Sequence, residues 1–146
     1  MVRIRLNTDE IKYMNLFESM TGASVNDCIT DEEDGSIGFI VRKGDMGLAI
    51  GKGGVNIERV KKAINKEVWV MESSEDLSEF VMNMFHPAKI RSVKVQDGVT
   101  GKIVTIEVSK KDMRRVIGQN GSKIKTAKKL AERHFGVGDI KVKSIY

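Results

Sequence analysis

Ile37, Phe39 and Val41 recur at every second position, and Val104, Ile106 and Val108 do the same further along the chain. That spacing puts each trio on one face of a half-buried strand. Elsewhere the apolar residues step at helical intervals. Ile11, Met14, Phe17 and Met20 give a helix over 9–21 one apolar side, with Thr8 to cap its start and Gly22 to end it. Leu77, Phe80, Val81, Met84 and Phe85 fall at i, i+3, i+4, i+7 and i+8, until His86-Pro87 stops the helix. Ahead of that stripe, Ser73-Ser74-Glu75-Asp76 reads as a serine cap followed by acids that complement the helix dipole.

The remaining pattern completes two similar series. The first predicts a strand at 2–6, the helix at 9–21, strands at 24–30 and 36–42, a short helix at 45–50, a helix at 55–65 and a strand at 67–71. Its first two long strands are joined by Asp31-Glu32-Glu33-Asp34-Gly35, where the Asp-Gly pair favours a tight turn. The second series predicts strands at 89–96 and 101–108 about Asp97-Gly98, helices at 110–117 and 122–134, and a strand at 139–145. Each reads helix–strand–strand–helix–loop–helix–strand. Placing residues 45–64 over 112–131 gives eight identities in twenty, among them Gly51/Gly118, Gly54/Gly121, Ile57/Ile124, Lys61/Lys128 and Lys62/Lys129. Internal repetition of this kind means one unit built twice. The boundary falls near residue 73, predicting domains at 1–73 and 74–146, and the short join predicts a monomer whose two domains pack together.

Composition narrows the class. The 146 residues are 40% hydrophobic and 31% charged, as in a globular protein. No apolar run approaches the roughly 20 residues that span a bilayer, so no membrane partner is expected. A start lacking the apolar core of a signal peptide, and the single Cys28, make a reducing cytoplasm the default location. Residues 1–88 carry 10 Lys and Arg against 15 Asp and Glu, a balance of −5; residues 89–146 carry 15 against 5, a balance of +10. So lopsided a field draws in a polyanion, although by itself it reads no sequence.

The repeated glycines carry the most specific chemistry. Gly51-Lys52-Gly53-Gly54 and Gly118-Gln119-Asn120-Gly121 each lie between two predicted helices. An ATPase-type phosphate loop needs a Lys and a hydroxyl residue after its last glycine, and a dinucleotide fingerprint follows a strand directly; neither context is met. What fits is a turn whose missing side chains let a sugar–phosphate backbone come close, beside amides at the start of the next helix. Lys52 adds a cation at the first tip. Gln119 and Asn120 offer uncharged hydrogen bonds at the second, with Arg114, Arg115 and Lys123 close by. Ile50 and Ile117 precede the loops, where an apolar residue either braces the helices or floors a groove for splayed bases. Ile57 and Ile124 read as residues that hold the short helices together.

These residues resemble the KH RNA-binding domain. Ile50-Gly51-Lys52-Gly53-Gly54-Val55-Asn56-Ile57 and Ile117-Gly118-Gln119-Asn120-Gly121-Ser122-Lys123-Ile124 are similar to its Gly-x-x-Gly loop, which clamps about four backbone nucleotides. The order of elements looks like the type II arrangement. The resemblance therefore implies an α/β (α+β) fold of two tandem type II KH domains, each a three-stranded mixed sheet packed against helices. Two such units opening on Val2-Arg3-Ile4-Arg5-Leu6 resemble the archaeal branch of the NusA family of transcription termination/antitermination factors. That likeness implies single-stranded RNA as partner, with RNA polymerase as a second. The likeness assigns RNA contact to the paired glycines Gly51, Gly54, Gly118 and Gly121 and to the central Lys52, Gly53, Gln119 and Asn120, and the reading of the residues above adds Ile50, Arg114, Ile117 and Lys123. Bacterial members add a polymerase-binding region and an OB-type domain, for which these 146 residues leave no room.

No residue set nominates a catalyst, a metal or a cofactor. His86, His134 and Cys28 form no ligand or nucleophile spacing, and Cys28 reads as a core residue of its strand. Asp45 and Asp112 read as helix-cap or first-turn acids. Trp69 packs either the sheet or the join between units, with base stacking as the lesser alternative. The functions that remain are an RNA-binding transcription factor, a ribosome-assembly or RNA-processing adaptor, and a module that mainly binds RNA polymerase.

Overall fold

The structure, a computed structural model, describes residues 7–31 and 33–145. The strand expected at 2–6 lies outside them, as do Glu32 and Tyr146. The described chain divides into two compact units between Ser74 and Glu75.

The first unit opens with α1 (Thr8–Thr21). Its cap is Asn7 rather than Thr8: the Glu10 amide donates to Asn7 Oδ1 at 2.8 Å, and the Asn7 amide donates back to Glu10 Oε1 at 3.2 Å. This reciprocal box satisfies two amides that the first turn otherwise leaves open. Gly22, at φ 79°, ends the helix as expected. The stripe is rotated from its predicted setting. Phe17 is buried and Tyr13, Met14 and Met20 pack on the core, whereas Ile11 is exposed. Strands β1 (Val25–Thr30) and β2 (Ile37–Val41) pair antiparallel, and β3 (Val68–Glu72) adds to β2 in parallel. Between β2 and β3 lie α2 (Met46–Ile50) and α3 (Val55–Ile64).

Phe17 stacks on Phe39 with ring centroids 4.3 Å apart, at the centre of a core that includes Cys28, Ile37, Val41, Ala49 and Val60. Cys28 is therefore a core residue. The pattern in β2 departs from the half-buried reading, because all five of its residues are buried. Gly38 is covered by Trp69 from the neighbouring strand; a Cβ at residue 38 would lie 2.1 Å from the indole ring. Trp69 thus packs the sheet, on a face that sequence alternation left to solvent. The acidic turn holds itself: Asp31 Oδ1 accepts from the Glu33 amide at 2.8 Å, and Asp34 Oδ1 accepts from the Ser36 amide at 2.8 Å.

The second unit repeats the plan with α4 (Leu77–Phe85), β4 (Ser92–Gly98), β5 (Gly101–Val108), α5 (Lys110–Ile117), α6 (Ser122–Phe135) and β6 (Val137–Ser144). β4 pairs antiparallel with β5, and β6 pairs parallel with it. Each unit is thus a three-stranded mixed sheet packed with helices. The cap of α4 is Asp76, not a serine, with its side chain accepting from the Ser78 amide. Asp97-Gly98 ends β4 rather than forming the turn. Gly98 pairs with Gly101, so the two loop residues are Val99 and Thr100. Here β5 does alternate, burying Val104, Ile106 and Val108, and Leu130, Ala131 and Ile140 of the same unit are buried too.

Candidate nucleic-acid interface

Each glycine loop joins a short helix to a long one, and the two loops share one backbone. Gly51 and Gly118 have φ/ψ of 75°/170° and 77°/172°. Only glycine adopts that region readily. Space makes the same demand: a Cβ at 51 would meet the Asn56 amide nitrogen at 2.9 Å, and one at 118 would meet that of Lys123 at 2.8 Å. The third loop residue is left-handed in both, as Gly53 at φ 65° and Asn120 at φ 56°. Asparagine is one of the few side-chain-bearing residues that tolerates this conformation, so Gly-Gly and Asn-Gly reach the same shape. Gly54 and Gly121, at φ 80° and 73°, then act as the N-caps of α3 and α6.

That geometry leaves an anion-seeking surface. Neither α3 nor α6 has a side-chain hydrogen bond capping its start. Their dipoles therefore face the loop unopposed by a side-chain acceptor. Lys52, Gly53, Gln119 and Asn120 are exposed at the tips, while the flanking glycines, Ile50, Ile117 and Lys123 are half-buried. Ile57 packs on the first core, as its bracing role requires.

The two copies differ where their side chains matter. Asn56 Nδ2 donates to the Leu48 carbonyl at 2.7 Å, tying α3 to the end of α2. Lys123 holds the equivalent place in the second unit. Burial lowers its pKa from the ordinary lysine value, and no carboxylate offsets that effect among the described residues. Leu48 and Val55 are exposed beside the first loop, where Arg115 and Ser122 stand beside the second. Arg115 reaches Asp112 at 3.8 Å, whereas Arg114 is exposed and pairs with no carboxylate among the described residues. A groove of about 340 Å³ runs along the second loop, lined by Met113, Arg114, Ile117, Gly118 and Gln119. Sequence reading reached all of these but Met113, which the spacing Met113/Ile117 on one helix face would have supplied.

The repeated aspartates are engaged by partners outside the loops. The Ser24 amide donates to Asp45 Oδ2 at 2.8 Å, and Arg42 reaches Oδ1 at 3.3 Å. The Ser24 hydrogen bond, with help from Arg42, holds this carboxyl below its ordinary value although burial opposes it. Asp112 Oδ2 accepts from the Ser109 hydroxyl at 3.1 Å. Asp45 occupies the cap position of α2 but makes no side-chain capping bond, so the cap reading is corrected: its carboxylate ties the entry of β1 to α2. Lys128 is committed to Asp139 at 3.1 Å, and Lys61 to Glu58 at 3.4 Å.

Among the described residues, no three His, Cys, Asp or Glu side chains gather in a metal-holding group, and no helix is long and apolar enough to cross a membrane. The family model described as "KH domain" matches residues 10–98, and that described as "NusA-like second KH domain" matches 77–144. The chain belongs to the KH family. This is a family of RNA-binding modules, not a catalytic one. Its KH relatives include the probable transcription termination protein NusA of Methanococcus vannielii, 40% identical over 141 residues that cover 97% of this chain and 80% of the relative. The protein of the same name from Methanocaldococcus jannaschii is 34% identical over 142 residues, covering 97% and 76%. Among solved structures, the crystal structure of APE1850 matches 94% of this KH chain and 100% of its own, at 36% identity and a TM-score of 0.81.

Proposed function

We propose that this tandem KH protein holds single-stranded RNA along both Gly-x-x-Gly loops and does so in transcription termination or antitermination, with RNA polymerase as a second partner. The observation that carries the RNA contact is the loop geometry. Two separate sequences, Gly51-Lys52-Gly53-Gly54 and Gly118-Gln119-Asn120-Gly121, adopt one positive-φ backbone that presents an uncapped helix start beside cations. Phosphates would meet the loop amides, Lys52 and Lys123, and splayed bases would rest against Ile50 and Ile117. The role in transcription draws on the NusA relatives, whose name states it.

The test changes Lys52/Gly53 to Asp-Asp in one variant and Gln119/Asn120 to Asp-Asp in another, with folding checked by circular dichroism. Titration with short single-stranded RNA at several salt concentrations should show weaker binding in both, and a parent affinity that falls as salt rises. Unchanged affinity in the combined variant removes the loops from the interface. Stoichiometric polymerase binding by that RNA-deficient variant would shift the main role to protein interaction.

A further inference from the structure

The two arginines ahead of the second loop, Arg114 and Arg115, differ in their environment. Arg115 is held by Asp112, and its charge is partly committed to α5 itself. Arg114 is exposed, pairs with no carboxylate among the described residues, and lines the groove whose other walls are Met113, Ile117, Gly118 and Gln119. A volume of about 340 Å³ stands at the small end of the roughly 300–1,000 Å³ typical of ligand pockets. That is room enough for a planar base. Met113 and Ile117 give that base an apolar wall, and Gln119 offers an amide at the rim. The first unit has Gly47 at the position of Arg114, so it lacks the guanidinium altogether.

The geometry points to Arg114 as a base-reading residue: the groove seats one unpaired base that presents two adjacent hydrogen-bond acceptors, guanine or cytosine, against the guanidinium fork. This rests on the RNA reading above and assigns a specificity to its second loop. A fork of parallel N–H donors matches two neighbouring acceptors and no other pattern. Guanine offers O6 beside N7, and cytosine offers O2 beside N3. Adenine sets its amino group beside both N1 and N7, and uracil separates its two carbonyls by an N–H, so neither satisfies the fork. An arginine that only met phosphate would lower affinity for every sequence alike when removed, so the two roles are separable.

The experiment titrates the full chain with uracil-rich single-stranded octamers carrying a central G, C, A, U or 7-deazaguanine. It compares the parent with Arg114→Ala and Arg114→Lys. The parent should favour the G or C oligomer by roughly tenfold over A and U, and 7-deazaguanine, which lacks N7, should lose any advantage of G. Arg114→Lys keeps the charge without the fork, so it should abolish the preference while leaving the salt dependence as in the parent. Preference for G alone or for C alone supports the assignment and names the base. Overturning results are a parent that binds the G, C, A and U oligomers equally, a preference that survives in Arg114→Lys, or a uniform loss in Arg114→Ala that Arg114→Lys restores. A parent that binds none of the oligomers overturns the RNA reading itself, and the assignment with it.

Discussion

At the scale of single residues, the first and third loop positions obey different constraints and predict different tolerances. Gly51 and Gly118 are required by both conformation and space, so Gly51→Ala and Gly118→Ala should each destabilise the fold by about 1–3 kcal/mol. A Cβ added at Gly53 would find nothing within 4 Å, so this position is constrained by φ alone, as Asn120 shows at the matching place. Gly53→Asn should therefore leave stability nearly unchanged, while Gly53→Val should not. Urea midpoints decide both, and a neutral Gly51→Ala would remove the steric argument. Lys123 makes the converse case. Burial lowers its pKa with no acid to compensate, so folding at neutral pH bears a penalty that a bound phosphate would relieve. Lys123→Asn, the residue found at position 56, should keep or raise stability yet weaken RNA binding, with a log–log salt slope shallower by about 0.7. Equal affinity in parent and variant would take Lys123 out of the phosphate contacts.

At the scale of elements, stability is set by caps and ties that join neighbours. The reciprocal bonds between Asn7 and Glu10 close the start of α1, and Asn7→Ala should cost about 1 kcal/mol in chemical denaturation. The Asp45 tie between α2 and the entry of β1 predicts a pH dependence. Its carboxyl is held below the ordinary value of 3.8, first by the Ser24 hydrogen bond. A depressed folded pKa contributes stability that is complete above that ordinary value and is lost as pH falls through the folded one. Between about pH 5 and pH 2 the parent should therefore lose stability more steeply than Asp45→Asn. Parallel acid profiles would refute the tie. The elements themselves were largely legible in the sequence, because strand alternation and helical stripes are local records of which face is buried. Their errors have physical causes too. Ile11 lies in the right helix but the wrong arc, since the packing of α1 selects Tyr13 instead. Asp97-Gly98 carries good turn chemistry, yet the pairing of Gly98 with Gly101 moves the turn to Val99-Thr100.

At the scale of the whole molecule, duplication and charge act together. The net charge of +5 conceals −5 over residues 1–88 and +10 over residues 89–146. Divided between the two copies, the balance is −2 over residues 1–73 and +7 over residues 74–146, so on the proposed RNA reading the second copy would supply most of the attraction and the first would extend the track. Linking two modest sites in one chain raises apparent affinity through effective concentration, provided that the RNA is long enough to reach both. Affinity should thus climb when the RNA is lengthened from about 4 nucleotides, the reach of one loop, to two or three times that length. The Lys52/Gly53 double-Asp variant should flatten that rise while preserving most of the salt dependence. A length dependence unaltered by this variant would mean that the second loop acts alone.

The sequence by itself determined the repeat, the order of helices and strands, the placement of both loops between helices and the uneven charge. Each of these is written in spacing, or in residues whose backbone preference is intrinsic, such as glycine at positive φ. Only tertiary structure decided which polar groups stay free to meet a ligand. Asp45 and Asp112 align by sequence beside the loops, but their carboxylates are engaged by Ser24 and Ser109. Arg114 and Arg115 are neighbours of equal charge, yet only Arg115 meets Asp112. Asn56 spans to the Leu48 carbonyl, while Lys123 in the equivalent place is desolvated. Gly38 is needed because Trp69 crosses it from the adjacent strand. Such partnerships depend on distances between segments remote in the chain, and the energy of a charge or a hydrogen bond is set by the partner and the burial it finds there.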